Sequence, residues 1–264
     1  MNSNVTFLSV IKAELLKLRS VRSSIIGLGV TAFLTIGFSA LLSYLSTGRF
    51  SDHNGPPPSL DGVSYALVGT NFAQFAVGVI GALFITSEFA NRSIHPTLAA
   101  VPNRAYVVMA KAAVLKLAMI ATAGISVLAS FFISQAIIGH KMDMHATLSD
   151  GTTLRAVLFA ILYLVLLTLI GFSIGLIVRH TAATISIFVS LLLVLPLITI
   201  FLPSSWRNPV MRYLPSVLGN AMTGGKAATY SYPMFGAWAA AGVLVAYAVV
   251  LFGVGLYLFE RRDV

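Results

Sequence analysis

The chain has 264 residues, is 58% hydrophobic and only 9% charged, and carries a formal net charge of +9; its mean hydropathy is +0.91. A soluble domain averages about 25% charged residues, so this chain cannot cover a water-facing surface and its main solvent must be lipid. No cysteine is present, which excludes disulfides, thiolate metal sites and thiol catalysis. The basic excess lies in flanks and loops, where it sets topology and meets anionic lipid headgroups, so no nucleic-acid partner is expected.

The first element is a predicted amphipathic helix over 7–22. Phe7, Ile11, Leu15 and Leu18 recur at three-to-four spacing with Val10 beside them, while Lys12, Glu14, Lys17 and Arg19 take other positions. That pattern belongs to a helix lying at a membrane surface, either a passive anchor or a docking element.

Six stretches then satisfy the roughly 20 apolar residues a membrane crossing needs: 24–45, 63–85, 117–138, 156–178, 182–202 and 237–259. The first is too long, and begins too far into the chain, for a cleavable signal. With the N-terminus inside, 11 of the 17 Lys and Arg residues fall on the cytoplasmic side and 6 outside, as the positive-inside rule requires. The expected protein is therefore a single all-α integral membrane domain over 1–264, with both termini cytoplasmic.

The spans hold no ionisable residue near their middles, where one would cost roughly 2.5–3.5 kcal/mol, and this argues against a proton- or sodium-coupled pump. Asn71 and Gln74 share a face of the second span, and Gln135 sits low in the third. They serve either interhelical hydrogen bonds or the polar lining of a substrate path. Pro196 interrupts the fifth span and predicts a kink, static or hinged. Gly171 and Gly175 form a G-x-x-x-G pair that permits close helix approach. The outer loop 203–236, with Trp206, Tyr213, Tyr230 and Tyr232, reads as one or two short helices at the membrane interface.

Three apparent catalytic or ligand motifs fail. Gly171-Phe172-Ser173-Ile174-Gly175 lies inside an apolar helix, not the strand–turn–helix of a hydrolase elbow. Residues 220–227 miss a phosphate loop at both its first and last positions. His140, His145 and Asp143 are expected to be a solvated loop rather than a metal site.

The loop between the second and third spans, 87–111, is too apolar to be a floppy connection. It carries Ile94, Leu98, Val101, Tyr106 and Val107, with Pro96 and Pro102 placed to start and follow a short helix. Such a helix either binds a partner or lies flat on the membrane. Its wording, Ser87-Glu88-Phe89, then Thr97-Leu98-Ala99-Ala100-Val101-Pro102-Asn103-Arg104, then Ala110-Lys111, resembles the membrane subunit of an ABC-2-type exporter. That family's pattern runs close to E-x-x-x-G-T-x-x-T-L-x-x-x-P-x-R followed by A-K; this chain departs from it at Arg92-Ser93. Arg212-Tyr213-Leu214-Pro215-Ser216 with Gly219 also resembles the stretch before the family's last span.

The resemblance implies a type V exporter-like permease that pairs with a second permease copy, identical or a sister, and with two copies of an ABC ATPase. ATP and Mg would sit on the ATPase, and this chain would bind no cofactor. Glu88, Ile94, Pro96, Leu98, Val101, Pro102 and Arg104 would couple to the ATPase, with Glu88 either at a hinge or simply at headgroup level. The helix carrying Phe7, Ile11, Leu15 and Leu18 would be the connecting helix. The substrate would be hydrophobic or amphipathic, such as a drug, lipid or peptide antibiotic, exported across the cell membrane. An ATP-independent channel is the alternative, and a membrane enzyme the weaker one.

Overall fold

The computed structural model describes residues 7–50, 62–91, 93, 96, 103–139, 146–224 and 234–262. All regular structure among them is helical. Helix α1 (Phe7–Ser20) is followed after one residue by α2 (Arg22–Phe50). Next come α3 (Gly62–Leu67) and α4 (Thr70–Ala90), then the long α5 (Arg104–Gly139) and α6 (Gly151–Val178). The fifth crossing is composite: α7 (Thr181–Val189), a π-helical segment (Ser190–Val194) and α8 (Leu195–Ile200). Two short helices, α9 (Ser204–Met211) and α10 (Pro215–Met222), precede the last, α11 (Ala237–Arg261). Among the described residues, six helical stretches are long and apolar enough to cross a membrane.

The crossing α6 is the hub. It packs most extensively against α4 and then against α11 and α5, and 78% of its most apolar window is buried, against 17% for the first crossing and 22% for the fifth. Its glycines explain why. A Cβ on Gly171 would stand 2.4 Å from the carbonyl oxygen of Gly78, and one on Gly81 only 2.1 Å from that of Thr168. The two backbones touch because neither residue carries a side chain, the close approach expected of the Gly171–Gly175 pair.

Several boundaries differ from the sequence expectation. The second crossing is not continuous: it breaks at Val68–Gly69, where the Gly69 N–H donates to Ser39 Oγ at 3.0 Å and a Cβ would lie 2.0 Å from the Thr35 carbonyl oxygen. Backbone contact with α2 at this point admits only glycine. The third crossing begins at Arg104 rather than 117, because Val107, Val108 and Ala110 are buried against neighbouring helices and extend the apolar face. The loop expected over 87–111 thus contracts: its first residues finish α4 and its last ones open α5. In the fifth crossing, Leu195 N–H bonds to the Ser190 carbonyl five residues back. This widened turn lies just before Pro196, which has no N–H and would crowd the carbonyl of Leu192.

A ladder of hydroxyls lies along the inner face of α2. Thr31, Thr35, Ser39, Ser43 and Thr47 are all fully buried at four-residue spacing. Ser126, Ser130 and Ser134 repeat the pattern on α5, which packs against α2. Thr31, Thr35 and Ser126 return their hydroxyls to carbonyls of their own helix, and Ser130 also reaches the Ala66 carbonyl at 3.0 Å. Small polar side chains here bring helices together, and most return their hydroxyls to a backbone carbonyl; the buried Ser43 and Ser134 hydroxyls have no partner among the described residues.

Candidate functional site at the charged end of the bundle

Four ionised side chains from three elements meet where α1 crosses the bundle. Lys111, two turns into α5, places its Nζ 2.5 Å from Glu14 Oε2 of α1 and 2.8 Å from Glu88 Oε1 at the end of α4. Lys17 of α1 bridges the same carboxylates from outside, 3.0 Å from Glu14 Oε1 and 3.0 Å from Glu88 Oε1. The Lys111 and Glu14 side chains are only 2% and 1% exposed, and that of Lys17 is 39% exposed. Two acids and two bases balance, so the cluster needs no counter-ion. Lys111 also lies 4.8 Å from the centre of the Phe84 ring, whose face favours a cation.

Helix geometry accounts for the arrangement. On α1 the buried residues are Val10, Glu14 and Leu18, at four-residue spacing and hence on one face. The face expected from the apolar pattern was Phe7, Ile11, Leu15 and Leu18. The buried stripe is rotated from it: Phe7 and Leu15 are exposed, Ile11 is half-buried and Leu18 is buried. Glu14 takes the middle of the buried stripe because Lys111 waits beneath it, and an unpaired charge in that position would be far costlier than an apolar residue.

Lys17 lies outside the crossings. Burial lowers its pKa, but the hydrogen bonds and charges of Glu14 and Glu88 outweigh that and hold it above the ordinary lysine value. Of Glu88's two oxygens, Oε2 is buried and accepts no hydrogen bond among the described residues.

A second layer of cations caps the same end. Arg104 Nη1 donates to the Arg262 carbonyl at 3.3 Å, and Arg262 Nη1 donates to the Ile177 carbonyl at 3.1 Å. Arg179, in the left-handed conformation with φ 59° that ends α6, sets its guanidinium 5.3 Å from the Phe89 ring and 5.6 Å from the Phe259 ring. Burial, together with the charges of Arg262 and Arg104, lowers its pKa. These contacts tie the ends of the second, third, fourth and sixth crossings into one plate.

Other expected site residues lie elsewhere. Gln74 is buried, and its Oε1 accepts from Tyr163 Oη at 2.5 Å, while its Nε2 donates to the Asn71 carbonyl at 2.7 Å. Asn71 itself is half-buried. Gln135 Nε2 donates to the Gly62 carbonyl, and its Oε1 accepts from the Ala146 N–H, so this side chain ties the first residue of α3 to the segment ahead of α6 at the far end. Pro96 is exposed and helical, and Arg104 opens α5. Ile94, Leu98, Val101 and Pro102 lie outside the described residues, as do His140, Asp143 and His145. Ser173, of the G-x-S-x-G match, donates to the Leu169 carbonyl inside α6.

The family-like motif marks Glu88 and Lys111 in the sequence, whereas Glu14 and Lys17 stand apart from the apolar set of α1 and carry no motif. The available signal was the position of the acids: Glu14 interrupts a basic stretch, and Glu88 ends an apolar span. Both stand where a cation would be the default.

A bundle of six membrane-length helices, braced at one end by a neutral ion cluster under a surface helix, defines a multi-pass membrane protein whose ion pairs, among the described residues, are gathered at one end. The sequence profile described as ABC-2 family transporter protein matches residues 10–196, which include all four members of the cluster. The chain belongs to that family: it is an ABC-2-type permease, a membrane subunit of an ABC transporter that is not itself catalytic. No match is found among the curated proteins.

Proposed function

We propose that this permease is the membrane half of an ATP-driven exporter, and that the Glu14–Lys17–Glu88–Lys111 cluster carries the movement of a partner ATPase into the bundle. The single observation behind this reading is where the cluster lies. Glu88 and Lys111 bracket the segment 92–102, which joins the second and third crossings, and Glu14 and Lys17 clamp the surface helix onto both. A push on that segment is thereby delivered to two crossings and to α1 as one rigid unit. The plate formed by Arg104, Arg179 and Arg262 extends the unit to the fourth and sixth crossings. Glu88 Oε2 offers a buried acceptor that a shifted segment can engage.

In this reading the charged end faces the cytoplasm of the cell membrane and holds both termini, in accord with the excess of Lys and Arg there. The ATPase, two copies with ATP and Mg, docks on Ile94 to Arg104, and a second permease completes the path. The described crossings carry no ionisable residue near their middles, which suits an apolar or amphipathic substrate moved by helix rearrangement instead of proton exchange.

The test is affinity purification of the tagged chain in mild detergent from cells that express its neighbouring genes. An ABC ATPase should co-purify with vanadate-sensitive ATP hydrolysis, and Leu98→Asp with Val101→Asp should lose it while still inserting in the membrane. A chain that purifies without any ATPase, under conditions that preserve other such complexes, would favour an ATP-independent channel.

A further inference from the structure

Between α1, α5, α6 and α11 the membrane-facing surface opens into a groove of about 490 Å³. Its floor is made by small buried residues, Ala112 and Ala248, and its walls include Leu169 and Phe252, while Phe7 of α1 stands at one end. Along α11 the groove runs from Val245 to Gly253, about 12 Å at 1.5 Å rise per residue. It therefore reaches from the surface helix to the middle of the bundle. Its lining is apolar except for one residue, Lys116.

Lys116 is exposed. It lies five residues beyond Lys111, or about 7.5 Å further along α5 toward the membrane centre. Unlike Lys111, it has no acidic partner among the described residues. A lysine on a lipid-facing surface at that depth holds its ammonium toward the interface on its apolar stem.

We propose that the groove seats one acyl chain of an anionic phospholipid from the leaflet on the α1 side, with the lipid phosphate held by Lys116. The charge decides the occupant: an apolar slot with a single cation at its mouth complements a lipid tail joined to an anionic headgroup. Because Phe7 closes one end, a seated lipid touches α1 as well as α5 and α11. It thus braces the surface helix at its N-terminal end, while the ion cluster holds it about two to three turns further on. The proposal does not rest on the ATPase reading, and it is tested on the permease alone.

The experiment is native mass spectrometry of the purified chain in detergent, titrated separately with phosphatidylglycerol and phosphatidylcholine of the same acyl chains. One phosphatidylglycerol should be retained with about fivefold preference, the contribution of a single lysine near anionic lipid. Lys116→Gln should erase the preference, Lys116→Arg should keep it, and Lys12→Gln, on α1 outside the groove, should keep it too. Ala248→Phe, which fills the floor, should weaken retention of both lipids, with a melting curve to show that the bundle is intact. Equal retention of the two lipids by the unmodified chain would overturn the proposal. So would an undiminished preference in Lys116→Gln, or a dimer whose formation excludes lipid from the groove.

Discussion

Lys111 and Glu14 are 97 residues apart in the chain, yet they form a buried ion pair at 2.5 Å, with the side chains 2% and 1% exposed. Nothing in the spacing of the two residues along the chain announces the pairing. Together they decide which face of α1 rests on the bundle and how the start of the third crossing meets the end of the second.

Removing one member of that pair should cost far more than removing both. Glu14→Gln or Lys111→Met leaves a buried charge with a diminished set of partners, and such a loss costs about 3–5 kcal/mol in buried pairs. The combined Glu14→Gln, Lys111→Met change removes one charge of each sign and should recover much of that loss. Melting temperature in detergent, read beside protease sensitivity within residues 1–22, checks this. If the single and double changes simply added, the coupling between the two residues would be refuted.

The cluster also makes α1 docking sensitive to alkali. Lys17 has a pKa raised above the ordinary lysine value by Glu14 and Glu88, net of the opposing effect of burial. A base whose folded pKa is raised stabilises the folded form fully below its unfolded value, about 10.4. That contribution is lost as pH climbs through the higher folded value. Protease cleavage of α1 should therefore stay flat from about pH 7 to 10 and rise above that. Lys17→Met should be more readily cleaved at neutral pH and lack the Lys17 part of the alkaline rise. An identical alkaline rise in both proteins would remove Lys17 from the account.

Glycine substitutions should separate contact from mere flexibility. Gly171→Ala places a methyl group 2.4 Å from the Gly78 carbonyl oxygen. Both atoms belong to the most extensive helix–helix contact described in the bundle, so the expected loss is about 1–3 kcal/mol, typical of overpacking. Gly124→Ala meets nothing within 4 Å and should be neutral or slightly stabilising, since alanine favours helix by up to ~1 kcal/mol over glycine. Thermal melts of the two variants side by side provide the comparison. Equal losses would mean that the close α4–α6 approach is unimportant.

Much of this architecture could be read directly from the residues. Membrane crossings declare themselves through length and hydropathy, because burying roughly 20 apolar residues in lipid is a local requirement that no distant contact alters. The close approach at Gly171 was visible for the same reason: a missing side chain is a property of the position itself. Pro196 marked a disturbance in the fifth span, but only the backbone showed that the disturbance is a π-helical turn one step before it. Hydropathy also read straight through the break at Val68–Gly69, whose cause is the Ser39 hydroxyl and Thr35 carbonyl of another helix.

By itself, the sequence determined that the chain lives in a membrane, that it crosses six times, and that a surface helix leads the first crossing. Its motif around Glu88 and Lys111 further pointed to the family. Only the tertiary structure decided what the charges do. Amphipathic periodicity sorts residues into apolar and polar, and by residue type Glu14 and Lys17 stand apart from the apolar set of α1, although Glu14 shares the four-residue spacing of Val10 and Leu18. The fold buries Glu14 because Lys111 and Glu88 converge beneath α1, and a buried carboxylate becomes tolerable where an ammonium group lies within hydrogen-bonding distance. Such a pairing depends on three elements meeting in space, and no spacing along the chain encodes it.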